Sequence, residues 1–151
     1  MTENNISRED LRQTLPFMLG NATRLVFKKL NSALNQEGIP VMAEQLPILM
    51  VIYFQEQALT QQDIANILQK DKAGIQRSIQ TLNKDGFLKI ESAIEDKRKN
   101  LISLTASGKF VCEKVQTFAM AFHKSIMENF TTTEQKTFTS LLGKIAAIIE
   151  K

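Results

Sequence analysis

Cysteine, histidine, proline and glycine are all scarce in this chain. One cysteine in 151 residues, Cys112, rules out an internal disulfide, so a reducing cytoplasm is the expected compartment. Three prolines and six glycines are too few for the many turns of an all-β design and favour long helices. No apolar run approaches the ~20 residues needed to cross a bilayer, so no membrane association is expected. Met1-Thr2-Glu3-Asn4-Asn5 lacks the basic start and apolar core of a signal peptide. The single histidine, His123, is eleven residues from Cys112. On a helix that is ~16 Å, so the two cannot share a metal within one chain. A zinc centre would need several ligands. There is no glycine-rich phosphate loop and no nucleophile-elbow serine, and no local motif supports a Ser–His–Asp triad around His123. No catalytic residue, metal ligand or cofactor is therefore assigned, and the chain is not expected to be an enzyme.

What is present is ordinary in amount and unusual in placement. Hydrophobic residues make up 43% and charged residues 23%, as in a globular domain long enough to bury a core. The formal net charge is +3. Residues 70–99 hold eight bases and five acids, so the whole excess lies there and the rest of the chain is neutral. A confined basic patch is an electrostatic footprint for a polyanion.

The spacing in that region predicts two short helices and a hairpin. Thr60-Gln61-Gln62-Asp63 is a variant capping box opening a helix over about 61–69. Its inner face is Ile64, Ala65, Ile67 and Leu68. Asp71 caps a second helix over about 72–85, with Ile75, Ile79 and Leu82 inward and Gly86 at its end. The opposite face carries Lys72, Gln76, Arg77, Gln80, Thr81 and Lys84. Arg and Gln can make paired hydrogen bonds to base edges. A solvated surface helix would show the same composition, so the neighbouring elements decide. Alternation in Phe87-Leu88-Lys89-Ile90-Glu91 predicts a strand, and Leu101-Ile102-Ser103-Leu104 its partner, with Ile102 and Leu104 inward. Between them the tip, Glu95-Asp96-Lys97-Arg98-Lys99, is too charged to pack. A helix-turn-helix followed by such a hairpin is a helix-turn-helix with a wing. In this reading Arg98 enters a minor groove, where narrow A·T-rich DNA concentrates negative potential. Asp96 would hold its guanidinium by a charge-assisted bond.

The flanks are helical. Apolar residues recur from Asp10 to Asn35 at Leu11, Leu15, Met18, Ala22, Leu25, Leu30 and Leu34, with a kink or late start expected at Pro16. A helix over about 44–55 is apolar nearly all round and should be buried beneath the helix-turn-helix. Thr105 caps a helix over about 106–129 with Val111, Val115, Phe118, Phe122 and Ile126 inward. Thr131-Thr132-Thr133-Glu134 is a capping box for a last helix over about 134–149, which should bury Phe138, Leu141, Leu142, Ile145, Ile148 and Ile149. Ends this apolar predict a helical dimer interface. Residues 1–9 are polar and expected to be mobile.

Asp96-Lys97-Arg98-Lys99-Asn100 running into Leu101-Ile102-Ser103-Leu104-Thr105-Ala106-Ser107-Gly108 resembles the wing pattern of the MarR family of winged helix-turn-helix transcriptional regulators. Lys70 to Arg77, with Leu82 and Lys84-Asp85-Gly86-Phe87-Leu88, looks like that family's recognition helix and its exit. The resemblance spans nearly the whole chain. It implies a mostly α fold with a small antiparallel β wing, and one domain over 1–151. Within it, about 44–105 would be the winged helix-turn-helix, and about 10–36 and 106–151 the dimerisation region. It further implies a homodimer on double-stranded DNA with a palindromic operator. The recognition helix, about 72–85, would lie in the major groove and the wing, about 94–100, in the minor groove. DNA-contacting residues would be Lys72, Gln76, Arg77, Gln80, Thr81, Lys84, Asp96, Lys97, Arg98 and Lys99. Many members are repressors released by a small aromatic or phenolic effector. Others sense peroxide through a cysteine in the first helix, which here has none, and Cys112 reads as a packing residue. Gly74 departs from the family's usual Ser or Thr. That departure and the modest charge support an alternative, a winged-helix protein-interaction module that has lost DNA binding.

Overall fold

A computed structural model describes residues 7–55 and 57–150; the expectation for residues 1–6 lies outside them. The element order is α1 Arg8–Arg12, α2 Leu15–Gln36, a 3-10 turn Ala43–Gln45, α3 Leu46–Phe54, β1 Leu59–Thr60, α4 Gln61–Leu68, α5 Lys72–Lys84, β2 Leu88–Ser92, β3 Asn100–Leu104, α6 Ala106–Met127 and α7 Thr132–Ile149. The fold is mostly helical with one small antiparallel sheet. Two compact units divide between Cys112 and Glu113, inside α6.

Local chemistry sets most boundaries in the first unit. Pro16 stands in the opening turn of α2, where a missing N–H costs nothing, so the expected long helix starts late and α1 is a separate short turn. Pro47 opens α3 the same way, behind the 3-10 turn. At the end of α2, Gly38 has φ +69 and the Ile39 N–H donates to the Leu34 carbonyl, 2.9 Å away. Gly86, φ +84, repeats this after α5, with Phe87 N–H on the Leu82 carbonyl at 2.9 Å. Gln69 does the same job between α4 and α5 with φ +50, and Lys70 N–H reaches the Ala65 carbonyl at 3.1 Å. A side chain in that left-handed region costs roughly 1 kcal/mol that glycine would avoid.

The core lies where α3, α4, α5 and the sheet meet. Leu49, Ile64, Ile75, Leu82, Leu88 and Ile102 are fully buried. The strands order β1-β3-β2, with Leu59 opposite Ile102 and Leu88 opposite Leu104. The third strand, β1, was not anticipated from the sequence. Two expected inner positions are corrected. Phe54, in the helix expected to be buried all round, is 66% exposed at the end of α3, and Ile67 is 48% exposed on α4. A nine-residue helix cannot turn every side inward when it packs on one layer, and α4 presents only Ile64 and Ala65 squarely to the core. Cys112 is buried, with Sγ 3.7 Å from the Leu49 carbonyl.

In the second unit, the rings of Phe118 and Phe122 stack along α6 with centroids 6.1 Å apart. Gln135 Nε2 donates to the Met127 and Phe130 carbonyls, at 2.8 and 3.0 Å, and closes the turn into α7. Thr131 and Glu134 form the expected capping box. The expectation that α7 buries its apolar residues does not hold within one chain. No residue of α7 is buried, and Phe138, Leu141, Leu142, Ile148 and Ile149 are 38–72% exposed.

Candidate nucleic-acid interface

The helix-turn-helix is built from two side-chain caps. Thr60 Oγ1 accepts the Asp63 N–H, and the Asp63 carboxylate accepts the Thr60 N–H and hydroxyl. Those two donors, the hydroxyl first, hold the Asp63 carboxyl below its ordinary range; burial opposes them weakly, and the charge of Lys99 adds to them. Asp71 caps α5, its carboxylate accepting the Gly74 N–H at 2.7 Å. Across the turn, Gln61 Nε2 donates to the Lys72 carbonyl at 3.2 Å. The start of α5 is thus tied to the start of α4 and cannot swing freely.

On α5, Ile75, Ile79 and Leu82 are at most 3% exposed, as their spacing predicts. Lys72, Gln76, Arg77, Gln80, Thr81 and Lys84 are all exposed. The Thr81 hydroxyl donates to the Arg77 carbonyl at 3.1 Å, so it is partly occupied within its own helix. The Gln76, Gln80 and Arg77 side chains, by contrast, are displayed on the side away from the core.

The wing is β2 paired with β3 from Leu88–Leu104 out to Ser92–Asn100. Ala93 N–H donates to the Lys99 carbonyl at 2.8 Å and closes the loop. Within it Lys99 N–H donates to the Asp96 carbonyl at 2.9 Å, which makes 96–99 a tight turn. Here the role expected of Asp96 changes. Its carboxylate accepts the Arg98 backbone N–H at 3.0 Å and forms no ion pair with the guanidinium. An Asp at the first turn position accepts the backbone N–H two residues on and so forms the turn itself. Asp96 therefore shapes the loop that presents Lys97 and Arg98, both exposed. Lys99 is exposed too but lies close enough to α4 to act on Asp63. Among the described residues the ion pairs are Arg12–Glu9 and Lys89–Glu91. Lys89 is thereby partly neutralised, while no ion pair engages the bases on the outer face of α5 or at the wing tip.

Sequence reasoning missed one feature of this region. Thr105 and Gly108 join the exit of α5 to the start of α6. The Thr105 hydroxyl donates to the Gly86 carbonyl at 2.6 Å and accepts the Gly108 N–H at 3.0 Å. The Leu-Thr-x-x-Gly pattern was the visible signal, and only its capping half was read from it. Elsewhere, His123 is exposed, and among the described residues no three His, Cys, Asp or Glu side chains converge as a metal site would require.

This arrangement of a capped two-helix turn, an exposed polar helix face and a basic hairpin has clear relatives. The sequence model of the MarR family matches residues 37–99, from the turn after α2 to the wing tip. Over that stretch the chain is similar to the MarR family of winged helix-turn-helix transcriptional regulators. The HTH-type transcriptional regulator PapX of Escherichia coli is 29% identical over 101 residues, 66% of this chain and 62% of that protein. This chain thus spans less than two thirds of PapX. The HTH-type transcriptional repressor YetL of Bacillus subtilis (strain 168) is 28% identical over 123 residues, 80% of this chain and 74% of that protein. Among solved structures, the S. aureus MepR–DNA complex superposes with a TM-score of 0.80 at 21% identity, covering 89% of this chain and 97% of that one. That last likeness is one of fold. No helix among the described residues is long and apolar enough to cross a membrane.

Proposed function

We propose that this chain works as a cytoplasmic homodimer that binds a palindromic operator on double-stranded DNA and represses transcription until an effector is bound. The observation that carries the reading is the outer face of α5. Gln76, Arg77 and Gln80 are exposed on a helix whose other side is locked into the core, and the turn at Asp96 leaves Lys97 and Arg98 exposed as well. A fixed backbone with mobile polar ends suits base reading, since bidentate contacts need a defined helix pose. Lys72 and Lys84, at the two ends of α5, suit phosphates. Two-fold symmetry would put two such helices in major grooves about one turn of DNA apart, ~34–36 Å. The exposed apolar stripe on α7 is the surface this reading assigns to pairing.

For the effector we infer an aromatic carboxylate or phenolate. An open cleft of about 570 Å³ is lined by Arg24, Phe27, Lys28, Asn31 and Glu44. One ring and two cations against a single acid suit an aromatic anion. Such a ligand lowers operator affinity only by binding the arrangement incompatible with DNA more tightly.

Gly74 has a local packing reason that does not require a loss of DNA binding. A Cβ there would stand 3.1 and 3.3 Å from the Asp71 carboxylate oxygens, so glycine gives the helix cap room. Selection of bound duplexes from a random pool tests the proposal. The expected product is a palindrome, with an affinity that falls steeply with salt as several phosphates are neutralised. Absence of any duplex binding at low salt would return the protein-interaction module as the better reading.

A further inference from the structure

The recognition helix is held at both ends, and its second anchor lies outside the helix-turn-helix. After Lys84 the chain turns through Gly86 and leaves two carbonyls, those of Gly86 and Phe87, pointing away from α5. Both are taken by one residue. Thr105 N–H donates to the Phe87 carbonyl at 3.1 Å, and the Thr105 hydroxyl donates to the Gly86 carbonyl at 2.6 Å. The same oxygen accepts the Gly108 N–H at 3.0 Å and so caps α6. A hydroxyl has one proton and spare lone pairs, so this single group ties the exit of α5 to the first turn of α6 with its donor and acceptor sides at once. Gly108 makes the close approach possible. A Cβ at that position would lie 2.1 Å from the Phe87 carbonyl oxygen and 2.9 Å from Leu104 Cδ2. Backbone cannot yield as a flexible side chain would.

We propose that Thr105, with Gly108 behind it, is a positioning residue for base reading: it sets the pose of α5 on DNA by fixing that helix's exit to the start of α6. The inference rests on the DNA-binding function proposed above. A helix of 13 residues is ~20 Å long, so with its start held by Asp71 and Gln61 a tilt of ~6° moves its exit by ~2 Å and carries the base-reading side chains with it. Hydrogen bonds to base edges do not survive that displacement, whereas lysines on phosphates follow it. Loss of the tie therefore removes discrimination before it removes affinity.

The test uses the full chain, the palindrome selected by the wild type, and an unrelated duplex of equal length. Thr105→Val keeps the shape and the backbone N–H and deletes both hydrogen bonds of the hydroxyl. Gly108→Ala keeps the hydroxyl and forces α6 off the Phe87 carbonyl, so either folded variant can be read if the other fails to fold. Each is expected to lose tenfold or more in affinity for the selected duplex, with less than a twofold change on the unrelated one. Thr105→Ser is expected to restore the preference. A purely structural role would lower both affinities by the same factor, through the unfolded fraction, and that result overturns the proposal. So does an unchanged preference in either folded variant. A wild type with no sequence preference would overturn this proposal together with the function on which it rests.

Discussion

In α5 the apolar residues Ile75, Ile79 and Leu82 are at most 3% exposed; in α7 Phe138, Leu141, Leu142, Ile148 and Ile149 are 38–72% exposed. Both helices are amphipathic and both begin with a side-chain cap. The winged-helix region has an opposing layer for its apolar face, supplied by α3, α4 and the sheet. The last helix has no buried residue. Burying one leucine side chain contributes roughly 1.5–3 kcal/mol, so a stripe left open along 18 residues represents a large unused driving force. The contrast is that the winged-helix region is packed within one polypeptide, while the C-terminal stripe is open, as the proposed dimer requires.

The largest expected effect attacks the open side. Leu141→Glu places a charge in the stripe and should abolish self-association at micromolar concentration by light scattering. Operator affinity should then fall by about 10²–10⁴, since the second half-site is no longer tethered. A Leu141→Glu protein that remains a dimer would place the interface elsewhere. Leu82→Ala attacks the packed side. It should cost about 2–5 kcal/mol in the denaturant midpoint, with self-association intact below the transition. Equal damage from Leu82→Ala and Leu141→Ala in the folding of the isolated chain would erase the contrast.

Smaller effects sharpen it. Gln76→Ala or Arg77→Ala should cost about 1–3 kcal/mol on the preferred duplex and relax the base preference at one position, leaving the melting temperature unmoved. A uniform loss across all operator variants would assign those side chains to phosphate. Thr60→Ala should destabilise by about 1 kcal/mol through the lost cap. The caps also predict acid sensitivity. Asp63 and Glu134 are held below their ordinary values by the Thr60 and Thr131 donors, so the folded state takes up their protons less readily than the unfolded chain. Their contribution is complete above the ordinary carboxylate range and is lost as pH falls through and below it. Thermal melts of wild type and Thr60→Ala should therefore converge at acid pH; a constant separation would exclude the carboxylate.

Much of the winged-helix region was legible because it is local. Caps at Thr60, Asp71 and Thr131, the glycine exit at Gly86 and the inner face of α5 each depend on residues a few positions apart. What stayed hidden depends on contacts between distant segments. Leu59-Thr60 is too short to show alternation, so β1 becomes visible only once it lies against β3. Gly108 reads as a poor helix residue until the Phe87 carbonyl is beside it. The partner of Asp96 was misjudged for the opposite reason: a backbone amide two residues away outcompeted the more conspicuous guanidinium. Phe54 and Ile67 show that apolar character marks a side chain without saying which way its helix turns.

Sedimentation equilibrium of the unmodified protein at micromolar concentration tests the central claim most directly. The account predicts one species at twice the 17.1 kDa chain mass, dispersed to single chains by Leu141→Glu. A wild-type protein that sediments at 17.1 kDa, with its C-terminal stripe open to water, would contradict it.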